Sequence, residues 1–234
     1  MIIDFHSHIL PRVDHGSKSI DESVSQIRLI GKRADKIVAT SHFYPNTHNP
    51  DEFISRVDAA AKELKAATAE LDAPRICIGA EVLLCEAIDR LEGVERLCIR
   101  GTNCILIEMP NLGAWNERLI STVETLMNNG LDVVLAHIDR YIRDYEENID
   151  RLLAMGAKAQ INASSLASFF SRRRLVPYLE SGAVWALGSD LHRTDAGAYR
   201  DFAALEGKIG KELYLDIMKK SEKLLEGAIL RGEG

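Results

Sequence analysis

The chain has 234 residues, 46% hydrophobic and 27% charged, which is ordinary for a globular protein with a well-filled core. Its formal net charge of −6 argues against nucleic acid as the main partner, because phosphate binding usually needs a basic face. No apolar run approaches the length needed to span a bilayer, so we expect no direct membrane insertion.

The N-terminus and the cysteines bear on localisation. The first residues have neither the basic segment nor the long apolar run of a signal peptide. The four cysteines form no C-x-x-C pair and no C-x5-R motif of thiol-dependent phosphatases. Cys77, Cys98 and Cys104 stand in apolar surroundings typical of buried, reduced thiols. These features predict a cytoplasmic protein.

Seven apolar runs of strand length recur along the chain: IIDFHSHI, KIVATSHF, RICIGAEVLL, CILIEMP, DVVLAHI, KAQINASS and AVWALGSD. Between them lie helix-length segments with apolar residues three and four apart. The first segment carries Ile20, Val24 and Ile27, and the last runs from about Lys211 to Leu230. This alternation predicts a parallel sheet, closed or nearly closed into a barrel. No Pro- or Gly-rich linker divides the chain, so residues 1–234 are predicted to be one domain.

Metal-ligand residues stand at the carboxyl ends of six of these runs; they are His6, His8, His42, Glu81, Glu108, His137, Asp190 and His192. The carboxyl ends of barrel strands meet at one mouth, and residues two apart face the same side of a strand. Burying such groups unpaired would be costly, so their clustering predicts a multinuclear metal site. The sixth run ends at Asn162 without an obvious ligand, and His48 is predicted to be a solvated loop residue.

The motifs HSH, ATSH, GAE, IEMP, AHIDRY and SDLH, in this order, resemble the polymerase-and-histidinol-phosphatase (PHP) superfamily of metal-dependent phosphoesterases. The greatest likeness is to tyrosine phosphatases of bacterial capsule and exopolysaccharide loci, and it spans nearly the whole chain. The resemblance implies an α/β fold, a distorted (β/α)7 TIM-like barrel with its active site at the carboxyl ends of the strands. It also implies two or three divalent ions, with manganese expected and iron or zinc as alternatives.

The same resemblance assigns the metal ligands residue by residue. One ion would be held by His6, His8, Glu81 and Asp190. A second would be held by the bridging Glu81 together with Glu108 and His137. The third would be held by His15, His42 and His192.

His15 is where the chain departs from its relatives, which carry D-D-G where this chain reads Asp14-His15-Gly16. A neutral imidazole in place of a carboxylate lowers the negative charge around the third ion and favours zinc or iron over manganese. Asp14 turning inward as the ligand is the alternative.

Divalent ions lower the pKa of bound water, so we expect a metal-bound hydroxide to attack phosphorus without a protein nucleophile. A cationic side chain should stabilise the phosphoryl group. Arg140, in HIDRY, matches the family arginine by motif position. A second arginine is expected in HRTDAGAYR, where Arg193 is the candidate and Arg200 the alternative. The basic run Arg172–Arg174 is either a binding site for an acidic or phosphorylated tail or a solvated helix start.

The resemblance implies a protein-tyrosine phosphatase acting on the tail of a bacterial tyrosine kinase that regulates polysaccharide export, with homo-oligomers as a possible form. A small-molecule phosphomonoesterase such as histidinol phosphatase is the alternative. An amidohydrolase is less favoured, since that class needs lysine where this chain has Glu108. A non-enzymatic docking protein would not need a complete ligand set.

Overall fold

The computed structural model describes residues 1–111, 113, 115–194 and 196–226. Within them, seven strands form one parallel sheet whose order follows the chain. The strands are β1 (Ile3–Ser7), β2 (Lys36–Phe43), β3 (Arg75–Leu83), β4 (Cys104–Glu108), β5 (Asp132–Leu135), β6 (Lys158–Asn162) and β7 (Val184–Gly188). Each of the seven apolar runs therefore contains a strand, as the sequence predicts.

Helices cover the outside of this sheet; they are α1 (Ile20–Ile30), α2 (Pro50–Ala67), α3 (Glu117–Asn128), α4 (Ile142–Ala154), α5 (Ala163–Ala167), α6 (Phe169–Glu180), α7 (Ala196–Ala203), α8 (Leu205–Ile209) and α9 (Lys211–Leu225). Side-chain caps mark the starts of α1 and α2: the Ser19 hydroxyl accepts from the N–H of Glu22, and the side-chain carbonyl of Asn49 accepts from the first two N–H groups after Pro50. Every residue of β1 and β4 is buried, which explains why their apolar runs are nearly unbroken.

The sheet is curved so strongly that the carboxyl ends of β1 and β7 are hydrogen-bonded to each other. The N–H of His8 donates to the carbonyl of Leu191 at 2.9 Å, and the N–H of Asp190 donates to the carbonyl of His6 at 2.8 Å. A parallel bridge also joins Ser7 to Leu191. The molecule is therefore a nearly closed, TIM-like (β/α) barrel of seven strands, and the carboxyl ends of all its strands surround one mouth.

The predicted alternation of strand and helix is wrong at one connection. Between β3 and β4 the described chain forms short 3-10 turns, Ile88–Arg90 and Val94–Leu97, in place of an α-helix. Gly93 and Gly101 adopt positive φ angles of 79° and 77° there, which interrupts helical geometry. The last helix ends at Leu225, and the part of its predicted span from residue 227 onward lies outside the described residues.

Among the described residues, no helix combines the length and the apolar character that a membrane span requires. All four cysteines are free thiols; Cys98 and Cys104 are buried as predicted, whereas Cys77 is only half-buried.

Candidate metal centre

Glu81 lies at the centre of the barrel mouth, fully buried at the carboxyl end of β3. Its Oε2 atom is 3.2 Å from His6 Nε2, 3.3 Å from His8 Nε2 and 2.9 Å from His42 Nδ1. Its Oε1 atom is 2.7 Å from Nε2 of His137. One carboxylate thus faces imidazoles from β1, from β2 and from the turn after β5, the position expected of a bridging ligand.

Two further carboxylates close the centre. Oδ1 of Asp190, just beyond β7, lies 3.4 Å from His8 Nε2 and 3.7 Å from His6 Nε2. Glu108, the last residue of β4, has Oε2 3.6 Å from His42 Nδ1 and Oε1 3.8 Å from His137 Nε2. The first and second ligand groups expected from the sequence are therefore assembled around Glu81.

The third group is more open to solvent. The ring of His15 stacks on His42 and on His192, with centroids 4.6 Å and 4.7 Å apart. His15 is exposed, and its backbone lies in the loop that follows β1. Among the described residues, the donor atoms of His8, His42 and His192 lie within 4.8 Å of one another, and this group contains His8 in place of the predicted ligand His15.

The charged groups shift one another's pKa values strongly. Burial by itself would raise the pKa of Glu81, but the charge of His6, the hydrogen bond from His137 and the close contact with His42 hold it well below the ordinary value. Burial by itself would lower the pKa of His42, yet close contacts with the carboxylates of Glu108 and Glu81 raise it to about 9. Burial and the charge of His8 lower the pKa of His192 to about 4.

The donor set fits divalent cations. Within the described residues, Glu81 Oε2, Asp190 Oδ1 and His42 Nδ1 are buried without a hydrogen-bond partner, although all three face this one cluster. Unpartnered buried groups are expensive, and a cation would relieve them by accepting their lone pairs. Mixed imidazole and carboxylate donors suit manganese, iron and zinc.

Backbone strain coincides with two of these positions. His137 and Asp190 have positive φ angles, 31° and 53°, although neither is glycine. Each residue lies two positions beyond the end of a barrel strand, and the left-handed turn redirects its side chain into the mouth. Such conformations persist only where the surroundings over-determine them, and they concentrate at functional sites.

Asp14 orients the histidines of the centre. Its Oδ2 accepts from Nδ1–H of His8 at 2.8 Å and from the N–H of His42 at 2.9 Å, while Oδ1 accepts from the N–H of Gly16 at 2.8 Å. The bond to Nδ1 leaves His8 Nε2 free to act as a ligand. With both oxygens engaged, Asp14 is placed as an orienting carboxylate, which argues against its alternative role as a ligand.

No ligand was predicted on β6, yet two of its side chains reach the centre. Gln160 and Asn162 are buried and hydrogen-bond to His6 and to Asp190 respectively. Polar residues two apart in an otherwise apolar strand were the available signal, since they must share one face.

The predicted arginines lie at the entrance. An open cleft of about 510 Å³ is lined by His15, His42, Tyr44, Glu108, Asn111, Arg140, His192 and Arg193. Nη2 of Arg140 donates to Asp190 Oδ2 at 2.5 Å, and Nη1 of Arg193 donates to the carbonyl of Gly16. Arg200 lies in α7 and is not among the described residues that line this cleft, so the geometry favours Arg193 over Arg200.

His48 lies in a loop, as predicted, but the prediction that it is solvated is wrong. His48 is half-buried; its Nδ1 accepts from the N–H of Tyr44 at 3.1 Å and its ring stacks on Phe53. It packs the loop after β2 because neighbouring aromatic rings offer it an apolar surface.

Comparisons with known proteins identify the family and relatives of this chain. The family model described as "Capsular polysaccharide synthesis, CpsB/CapC" matches residues 2–226. The tyrosine-protein phosphatase CpsB of Streptococcus pneumoniae is 28% identical over 239 residues, 94% of this chain and 97% of that protein. The tyrosine-protein phosphatase YwqE of Bacillus subtilis is 27% identical over 240 residues, 96% of this chain and 91% of that protein.

Solved structures show the same barrel. One belongs to the crystal structures of YwqE from B. subtilis and CpsB from S. pneumoniae, which are described as metal-dependent tyrosine phosphatases. It superposes on this chain with a TM-score of 0.82 at 25% identity, and the match covers 99% of this chain and 97% of that chain. A histidinol phosphate phosphatase from Lactococcus lactis has a TM-score of 0.56 at 11% identity, covering 88% of this chain and 94% of that one, and is similar in fold alone.

Proposed function

Because the chain belongs to the CpsB/CapC family of capsular polysaccharide synthesis, we propose that it is a metal-dependent protein-tyrosine phosphatase. The observation that carries the proposal is the convergence of imidazoles and carboxylates on Glu81, beneath a cleft that Arg140 and Arg193 line. The relatives named as tyrosine-protein phosphatases cover more than nine-tenths of the chain.

We propose two or three divalent ions as the cofactor, manganese first, with iron or zinc as alternatives. Their ligands would be His6, His8, His15, His42, Glu81, Glu108, His137, Asp190 and His192. When bound, such ions supply a water nucleophile that is activated at neutral pH and positive charge that neutralises phosphoryl oxygens.

The chain's own side chains supply the remaining functions. Arg140 and Arg193 would donate hydrogen bonds to phosphoryl oxygens, because both guanidinium groups lie on the cleft wall above the cluster. Among the described residues that line the cleft, none is a cysteine, so no thiol acts as nucleophile there. A phenolate is a better leaving group than an alkoxide, since a phenol has a pKa of about 10, and it departs with little acid assistance.

A substrate panel tests the reaction. The metal-loaded protein should hydrolyse a phosphotyrosine peptide with a higher kcat/KM than a phosphoserine peptide or histidinol phosphate. If histidinol phosphate were preferred by orders of magnitude, the phosphomonoesterase alternative would replace the tyrosine phosphatase.

Replacing Arg140 with alanine tests the role of the arginine. Removing a donor that acts on the transition state should lower kcat by roughly 10²-fold. Metal content, measured by mass spectrometry after gel filtration, should stay within twofold of wild type. Loss of metal in parallel with activity would instead make Arg140 a structural residue that holds Asp190.

For the physiological substrate we propose the tyrosine-phosphorylated tail of a bacterial tyrosine kinase controlling polysaccharide export. A basic surface on α6 supports an acidic or phosphorylated tail as the partner. Arg173 and Arg174 are exposed, and Arg174 lines a small cavity with Arg143 and with Asp139, the residue that precedes Arg140. Arg172 is occupied within the fold, donating to the carbonyl of Leu166 at 3.0 Å.

Charge reversal tests this surface. The Arg173→Glu/Arg174→Glu double variant should raise KM for an acidic phosphotyrosine peptide and leave free phosphotyrosine unaffected. Arg28→Glu is the matched control, because Arg28 is exposed in the last turn of α1, at the opposite end of the barrel. If the double variant and wild type had the same KM for acidic and for neutral peptides, this surface would take no part in substrate binding.

We further propose that the chain is a single cytoplasmic domain that self-associates. One continuous sheet supports a single domain, and the free cysteines support a cytoplasmic location. Light scattering of the purified protein would test whether it self-associates.

A further inference from the structure

Gln160 and Asn162 occupy neighbouring inward positions on β6. Their relative exposures are 0% and 5%, so both amides must satisfy their hydrogen bonds within the protein. Neither supplies a carboxylate or imidazole to the metal cluster. A buried pair of amides beside the cluster therefore needs another explanation.

The hydrogen bonds of the two amides form one directed chain. Nδ2 of Asn162 donates to Asp190 Oδ2 at 2.9 Å, and Oδ1 of Asn162 accepts from Nε2 of Gln160 at 2.9 Å. Oε1 of Gln160 accepts from the N–H of His137 at 2.7 Å and contacts Nδ1 of His6 at 3.1 Å. The chain thus runs from a carboxylate of the centre to a histidine of the centre.

Both ends fix the direction of the chain. An ionised carboxylate only accepts, so Asn162 must present its NH₂ group to Asp190 and its carbonyl to Gln160. A backbone N–H only donates, so Gln160 must present its carbonyl to His137. Neither amide can flip without placing two donors or two acceptors against each other. His6 consequently faces an acceptor and must carry its proton on Nδ1.

These hydrogen bonds leave two atoms available as metal ligands, Nε2 of His6 and Oδ1 of Asp190. With Nδ1 protonated, His6 directs the lone pair of Nε2 toward Glu81 Oε2, 3.2 Å away. Asp190 Oδ2 is held by Asn162 and by Arg140, while Oδ1 is left without a hydrogen bond among the described residues and points toward Nε2 of His8.

We propose that Gln160 and Asn162 are positioning residues that set the tautomer of His6 and reserve Oδ1 of Asp190 for metal binding. The inference deepens the proposed function and rests on its metal assignment. Partners of this kind, outside the ligands themselves, raise metal affinity because they fix ring orientation and ligand basicity.

The test replaces the Gln160 amide with an apolar side chain of similar length, Gln160→Met, and measures two properties. Nitrogen NMR of the zinc-loaded protein should show Nδ1–H and Nε2–Zn for His6 in wild type, and a mixture or loss of this state in the variant. The dissociation constant for Zn²⁺ should rise roughly 10- to 100-fold.

Two variants separate positioning from folding. Gln160→Glu keeps an oxygen acceptor and should retain the Nδ1–H tautomer, even if Gln160→Met folds poorly. Asn162→Leu removes the donor to Asp190 and should weaken Zn²⁺ binding without changing the tautomer of His6, because the N–H of His137 still holds Gln160 Oε1. Gln26→Met is the matched control, since Gln26 is also fully buried but lies in α1.

The outcomes distinguish this inference from the proposed function. If wild type binds no Zn²⁺, the metal assignment itself is wrong. If wild type binds Zn²⁺ and Gln160→Met binds it equally tightly with the same His6 tautomer, only the positioning role is wrong. An equal loss in Gln26→Met would attribute the effect to general destabilisation and would also overturn the inference.

Discussion

At the scale of single residues, the same side-chain type behaves differently within a few ångströms. His42 and His192 belong to one cluster, yet the pKa of His42 is raised to about 9 and that of His192 is lowered to about 4. His42 lies against Glu81 and Glu108, whereas His192 stacks on His8. Without metal, His42 is therefore protonated at neutral pH and His192 is neutral.

This difference predicts that metal binding releases protons. A metal can take the lone pair of His42 only after its proton leaves, so affinity should increase as pH rises from 6 toward the raised pKa of about 9 and should then level off. His192, with its lowered pKa, contributes no proton in this range. Calorimetric titration with Zn²⁺ in buffers of different ionisation enthalpy would measure the release. If the affinity for Zn²⁺ did not change between pH 6 and pH 9, His42 could not be protonated in the metal-free protein at neutral pH.

His15 gives a second prediction at this scale. Although His15 is largely exposed, partial desolvation of its ring and the charge of His42 lower its pKa, so the ring is neutral and able to bind a cation at neutral pH. His15→Ala should lose the most weakly bound ion, and His15→Asp, which restores the residue of the relatives, should retain it. Metal content after gel filtration would distinguish them, and an unaltered His15→Ala protein would remove His15 from the site.

At the scale of elements, the centre depends on how closely β7 approaches β1. A Cβ atom added at Gly188 would lie 2.5 Å from Cβ of His6 and 2.9 Å from Nε2 of Gln160. Real side chains do not tolerate such contacts, so the glycine is required where a ligand and its positioning amide cross the end of β7. The strand that closes the barrel thus also sets the position of His6.

Gly188→Ala should therefore destabilise the protein by about 1–3 kcal/mol through overpacking and should weaken metal binding by displacing His6. Gly207→Ala is the control, because a Cβ there meets nothing within 4 Å and the residue lies in α8. That change should be neutral or stabilising, by up to about 1 kcal/mol. Chemical denaturation of both metal-free variants measures the difference, and equal stabilities would contradict the crowding at Gly188.

At the scale of the whole molecule, the proposed ligands tie together six of the seven strand ends. His6 and Asp190 are 184 residues apart in the chain, yet Nε2 and Oδ1 lie 3.7 Å apart. An ion bound between them would hold the first and last strands together where the sheet has only a short bridge. The metal should therefore be a stabilising ligand of the entire barrel.

Removing metal with a chelator should accordingly lower Tm. Binding at 100 times the dissociation constant stabilises the native state by about 2.7 kcal/mol, which for a chain of this size corresponds to roughly 5–10 °C. Thermal unfolding followed by circular dichroism, with Zn²⁺ or with chelator, would measure the shift. The Glu81→Gln variant should lose most of the difference in Tm between the two conditions. If the variant kept this difference in Tm, the stabilising ion would have to bind elsewhere.

The sequence by itself determined the class of barrel and the candidate ligands. Apolar runs of strand length and the histidines and carboxylates that follow them are local patterns, and local spacing decides which side of a strand each residue faces. It also located Arg140. It did not determine the role of Asp14, the contribution of Gln160 and Asn162, or the missing helix between β3 and β4.

Only the tertiary structure decided those points, because each depends on atoms that meet across distant parts of the chain. The sequence offered Asp14 only as an alternative ligand to His15, and the tertiary structure shows its oxygens accepting from His8 and His42. Gln160 and Asn162 have no metal-binding chemistry in the sequence, and their function arises from closure of the barrel around His6 and Asp190. Spacing along a strand specifies a face; the register and closure of the sheet specify which atoms on that face touch.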